Sequence, residues 1–261
     1  MARYGFRRRF DRFPRYVPVA ERRARAEATR AQMAVKGQDL HPAVLVGALK
    51  SWWARSWCGN LERYADYSNR IGRGRSYARN GSVVDLRIEA GKIAALVQGS
   101  QRRPYKIGIK ITILRGDKRK ELADLCEGKL ESAEALLAGK FPKELEHLLF
   151  AERGGLFPDP RQIEFSCSCP DSASMCKHIA AALYGTGARL DEDPSLFFLL
   201  RGMKMEELVG RVVEKSAEKL LRKKRGVKGE SKLLELDDGA LGALFGLDFG
   251  VGSKPGRRRK A

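Results

Sequence analysis

The 261-residue sequence has no apolar run long enough to cross a bilayer; no window approaches the roughly 18 uncharged apolar residues a spanning helix needs. It also has no apolar segment of the kind that follows the basic start of a secretory signal. Arg7, Arg8, Arg9, Arg12 and Arg15 run straight into Glu21-Arg22-Arg23, and Phe13-Pro14 would interrupt an amphipathic presequence helix. Aromatic residues make up 8% and histidine only three positions. The five cysteines are an odd number in a chain with no export signal, which argues against a disulfide framework. No Ser/His/Asp set, carboxylate dyad or second metal cluster has supporting context. Gly72-Arg73-Gly74-Arg75 lacks the Lys-Ser/Thr ending and following apolar helix of a P-loop. These absences lead to the expectation of a soluble, cytoplasmic protein that is not an enzyme and does not engage a membrane.

Acidic residues are the other shortage. Lys and Arg number 51 against 32 Asp and Glu, a formal charge of +19. Residues 1–80 carry 18 basic and 6 acidic side chains, residues 81–200 carry 17 of each, and residues 201–261 carry 16 and 9. A neutral centre between two basic ends is a pattern suited to a polyanion partner.

Along the chain, residues 1–40 read as a basic, partly disordered arm. A helix over Ala20–Lys36 is possible, but its apolar positions are nearly all alanine. Residues 41–150 read as an α+β body. Trp53, Trp57, Leu61 and Tyr64 mark one helix face, expected to be core. Residues 70–114 read as β structure, with Asn80-Gly81 as a hairpin turn and the stretch before it as a poor strand or flexible basic turn. Val84, Leu86 and Ile88 alternate, Ile93–Val97 follows, and Tyr105, Ile107, Ile109, Ile111 and Ile113 alternate with Lys106, Gly108, Lys110 and Thr112. The expected fold is therefore an antiparallel β-meander with packed helices, one sheet face packed and the other wet and basic. Helical spacing resumes over 117–150. Residues 191–235 read as helical, from the apolar Leu196–Leu200 to an amphipathic helix over Met205–Leu221. Residues 236–261 end in a basic tail expected to be mobile. His41 and His147 read as capping or surface residues, and Cys58 and Cys126 as packing.

Cys167, Cys169 and Cys176 fall within ten residues, with His178 just after. In an extended strand residues i and i+2 point to one side, so Cys167 and Cys169 can present both thiolates to one point. Pro170 ends that strand, and Ser172 or Ser174 can cap a helix expected to stop at Gly185. Cys176 and His178 would be about 200° apart on a regular helix, so they must sit at its first turn. The product is a small strand–loop–helix knuckle at 151–190, with three sulfurs and one imidazole around one structural Zn²⁺. Redox chemistry would not explain His178.

The Cys167-x-Cys169-x6-Cys176-x-His178 pattern, with an apolar strand before it and an Ala-rich helix after it, resembles the SWIM zinc finger. The wider chain is similar to bacterial SWIM zinc finger family proteins over most of residues 50–250. The matching pieces are Trp52-Trp53…Trp57, Arg73–Gly81, Val97-Gln98-Gly99-Ser100…Pro104-Tyr105, and Leu241–Gly246. The resemblance implies a zinc-binding module that engages DNA or protein partners and is associated in bacteria with SNF2-type helicase ATPases. It fixes no catalytic activity.

Two functions are therefore expected. In the first, Arg7, Arg8, Arg9, Arg73, Arg75, Arg79, Arg102, Arg103, Lys223, Lys224 and Arg225 neutralise the phosphates of a nucleic acid, DNA before RNA. In the second, the knuckle and Leu196–Leu200 dock onto an SNF2-type helicase ATPase.

Overall fold

The computed structural model describes residues 16–62, 68–129 and 155–226. The expectations for Arg7–Arg9, Tyr64, His147 and residues 236–261 fall outside them. Helices α1 (Val19–Val35), α2 (Trp52–Glu62) and α3 (Ser68–Arg79) precede strands β1 (Val83–Glu89), β2 (Lys92–Val97) and β3 (Tyr105–Ile111). Helix α4 (Gly116–Lys129) follows, and then β4 (Ile163–Cys167), α5 (Lys177–Glu192), α6 (Ser195–Leu200) and α7 (Met205–Gly226). The fold class is α+β, as the residue pattern implies. The sheet is antiparallel in the order β1-β2-β3-β4. The chain divides into a unit at Met1–Glu218, which holds the sheet, and a second at Lys219–Ala261. No described helix is long and apolar enough to cross a membrane.

The fourth strand corrects the picture of a knuckle set beside a separate meander. Ile107 pairs with Cys167, Ile109 with Phe165 and Ile111 with Ile163, so the strand that carries the first cysteine completes the sheet. Helix α5 then contacts all four strands and also α2, α3 and α6. It does not stop at Gly185. The glycines are there for close approach, since a Cβ on Gly187 would lie 2.7 Å from Cys58 Sγ and one on Gly185 3.1 Å from Ala43 Cβ.

The α3 segment is a second correction. Ser68–Arg79 is a helix and not a strand or turn. Asn80-Gly81 closes it: Ser82 N–H donates to Tyr77 O and Gly81 N–H to Ala78 O, with Gly81 at φ +65°. That is a helix C-terminal Schellman arrangement, which needs glycine for the same reason a hairpin would. Gly74 lets α3 lie against α5, where a Cβ would meet Ala180 Cβ at 2.4 Å.

The Ala20–Lys36 segment is helical, as its pattern allows, and it is packed on the sheet. Helix α1 docks on β1 with Ala26 and Arg22 buried. Arginine hydrogen bonds replace the missing apolar side chains: Arg22 Nε donates to Ser82 Oγ, Arg25 to Ser100 O and Arg30 to Gly81 O. The sheet's packed face holds Ile93, Val97, Tyr105, Ile107, Ile109 and Ile111. Its other face is wet but charge-compensated rather than basic, with Lys110 on Glu164, Lys92 on Glu89 and Arg87 on Asp85.

Trp57 and Leu61 are core, as their spacing implies. Trp57 is fully buried, its Nε1 donates to Leu183 O at 3.0 Å, and its ring meets Phe197 edge-on. Phe197, Phe198 and Leu200 of α6 are buried too. Most of the apolar 196–200 segment is therefore spent on the protein's own core, with Leu199 left exposed.

Candidate metal centre

β4 and the turn after it set the first two sulfurs. Past the end of the strand, Ser168 N–H donates to Lys106 O while Ser168 Oγ accepts from Lys106 N–H, so the ladder continues one residue further and fixes the Cys167–Cys169 turn. The loop is tethered from outside by Arg70 of α3, which donates to Asp171 Oδ2 at 2.7 Å. Met175, buried, anchors its far end. Cys176 is the N-cap residue of α5, without a side-chain cap bond, so neither Ser172 nor Ser174 fills that place. Being half outside the helix relieves the angular conflict between Cys176 and His178.

The four donor atoms of Cys167, Cys169, Cys176 and His178 all lie within 4.8 Å of one another. Cys176 Sγ is 3.8 Å from His178 Nδ1. A tetrahedron with metal–sulfur bonds of about 2.3 Å has edges of roughly 3.5 to 3.8 Å, so the set fits a closed four-coordinate ion. Three thiolates and an imidazole suit a soft or borderline metal and leave no position for a substrate. The Cys167 thiol donates to Cys176, which, with the Ile179 and His178 N–H groups at the helix start, holds the Cys176 thiol below its ordinary value. The same bond, with burial, pushes Cys167 up.

His178 is almost wholly buried, between the ring of Tyr105 at 4.3 Å and that of Tyr77 at 5.6 Å. Burial lowers its pKa, which keeps the imidazole neutral, the form a metal requires. With Nδ1 turned to Cys176, Nε2 is buried with no hydrogen-bond partner among the described residues and is aimed at Gly99. A Cβ on Gly99 would fall 2.8 Å from Nε2 and 2.3 Å from Tyr105 Cε2, so this glycine cradles the ring. Cys58 stands apart in the core, its thiol pushed up to about 12 by burial and then by Glu62. Cys58→Ser and Cys126→Ser variants should keep the wild-type metal content by elemental analysis; a loss in either would bring a fourth thiol into the site.

The basic residues singled out by sequence part company. Arg73 and Arg79 are exposed on α3, and Arg102 and Arg103 in the β2–β3 loop. Arg75 is committed internally, to Glu62 and to Tyr184 OH. Lys223, Lys224 and Arg225 lie in the last turn of α7. His41 is a partly exposed residue with Nε2 3.0 Å from Asp39, in keeping with a surface role. Sequence reasoning passed over Lys177, although it is the residue between Cys176 and His178, and Arg22, whose burial no local pattern announces.

Residues 161–184 match the family model of the SWIM zinc finger. The chain is 36% identical over 170 residues to the uncharacterized protein Rv2102 of Mycobacterium tuberculosis, an alignment covering 65% of this chain. The chain spans 61% of the length of that relative. No solved structure matches. The matched segment, the strand–loop–helix and the converging Cys3His donors coincide: this chain carries a SWIM zinc finger, a metal-binding site, at residues 161–184.

Proposed function

We propose that the protein is a non-catalytic, nucleic-acid-binding accessory protein in which one Zn²⁺ on Cys167, Cys169, Cys176 and His178 holds the shape. Bound zinc would supply a cross-link between β4 and α5 and no reaction chemistry. The observation that carries the reading is the set of exposed arginines, Arg73, Arg79, Arg102 and Arg103, without an ion-pair partner among the described residues. They sit on α3 and the β2–β3 loop, the two segments that hold the metal-site histidine through Tyr77 and Gly99. Cations left unpaired in this way match a polyanion better than a neutral protein surface, and DNA is the expected form before RNA. The alternative reading, an adaptor for an SNF2-type ATPase, would dock through the finger and the 196–200 segment, of which Leu199 is exposed while Phe197, Phe198 and Leu200 are buried.

Fluorescence anisotropy of the zinc-loaded protein with labelled DNA, at about 50 and 200 mM salt, tests this. Affinity should fall at least tenfold between the two while staying measurable. Binding no better than that of a basic control protein would sink the reading.

A further inference from the structure

Next to the metal centre a cleft of about 320 Å³ opens between the start of α1, α3 and the first residue of α5. Its lining brings together Arg22, Arg73 and Lys177 with Tyr16 and Tyr77, and it contains no carboxylate. The three cations come from three separate segments, so their convergence is a product of the fold and not of a local charge run. Arg22 is the fixed floor: buried, bonded to Ser82 Oγ, its guanidinium 3.9 Å from the Tyr77 ring centroid. Arg73 is exposed and Lys177 half-buried, and neither has a hydrogen-bond or ion-pair partner among the described residues. A buried cation without a carboxylate beside it leaves a field that an anion entering the cleft would satisfy.

Tyr16, at the mouth, is 74% exposed, a large aromatic held in solvent next to this charge. Cations that track a phosphate, together with an aromatic face open to a base, make up the binding surface of an unpaired strand. A duplex keeps its base faces stacked inside, so Tyr16 would contribute nothing to it. The volume suits one nucleotide. We infer that the cleft seats one nucleotide of a single-stranded nucleic acid, its phosphate between Arg73 and Lys177 above Arg22 and its base on Tyr16. This rests on the nucleic-acid reading above and adds to it the place and the strand form. The finger then has a positional task, because Lys177 lies between two metal-site residues and Tyr77, the cleft wall, packs edge-on against His178.

The test is anisotropy of the zinc-loaded full chain with a labelled oligo-dT and a labelled duplex of equal length. It compares the wild type with the Arg73→Gln/Lys177→Gln double variant, Tyr16→Ala and Arg102→Gln/Arg103→Gln. All these side chains are exposed or half-buried, and metal content and melting curves confirm that each variant is folded. The single strand should bind in preference. The Arg73/Lys177 variant should lose at least tenfold in affinity, with the log–log salt slope flatter by about 1.4. Tyr16→Ala should lose at least about fivefold with its slope unchanged. Full binding by the Arg73/Lys177 variant, with or without a loss in the Arg102/Arg103 variant, would overturn the cleft and leave nucleic-acid binding standing. Tighter duplex binding indifferent to Tyr16→Ala would overturn the strand form. No binding to either probe would remove the functional reading and the cleft together.

Discussion

Replacing Cys176 with alanine should strip the protein of its metal and destabilise the sheet as well as the finger. Structural zinc in small sites is worth on the order of 10–16 kcal/mol of apparent folding free energy at neutral pH. A whole domain is stable by only about 5–15 kcal/mol. If zinc is the metal, the site's share is comparable with the total, and here its four residues bracket β4 and the first turn of α5. Helix α5 in turn contacts every strand. Loss of the metal therefore reaches Ile107, Ile109 and Ile111 through β4 and the core through α5. Elemental analysis should show the variant's metal content well below that of the wild type, and His178→Ala should behave alike. Thermal melting should show a large fall in the midpoint, matched by wild-type protein treated with chelator. Acid should act in the same direction, since protons compete for the thiolates and the imidazole. A Cys176→Ala protein with undiminished metal would refute the four-donor assignment.

Trp57→Ala should be the most damaging single change away from the metal. The side chain is fully buried at the crossing of α2 and α5, bonded to Leu183 O and set edge-on to Phe197. Truncating a buried tryptophan costs about 3–5 kcal/mol, because the lost transfer energy is joined by a cavity the neighbours only partly fill. The small residues of α5 leave little with which to fill it. Urea unfolding followed by circular dichroism should show the unfolding free energy falling by that amount through a lower midpoint, with Trp57→Phe losing less. An unchanged midpoint would mean that α2 is not part of the cooperative core.

What the sequence disclosed follows how local each feature is. The four metal-site residues span twelve positions, and strand and helix periodicities act over that range, so both the site and its strand–loop–helix carrier were legible. The alternation of β3 was equally plain. Helix α3 was not, because Gly72 and Gly74 lower helix propensity, whereas Gly74 is there to admit Ala180. The run of α5 past Gly185 was hidden for the same reason. Pairing of β4 with β3 joins segments about fifty residues apart, and the cleft gathers Tyr16, Arg73, Ser100 and Lys177 from four places. No window of sequence contains either.

The position of β4 at one end of the sheet has a consequence for solubility. While β4 is in place, β3 is an interior strand with partners on both sides. If β4 is withdrawn, β3 becomes an open edge whose inward face is Tyr105, Ile107, Ile109 and Ile111, with unpaired backbone groups ready to template another chain. A metal that holds β4 in place would thus also guard β3 against self-association.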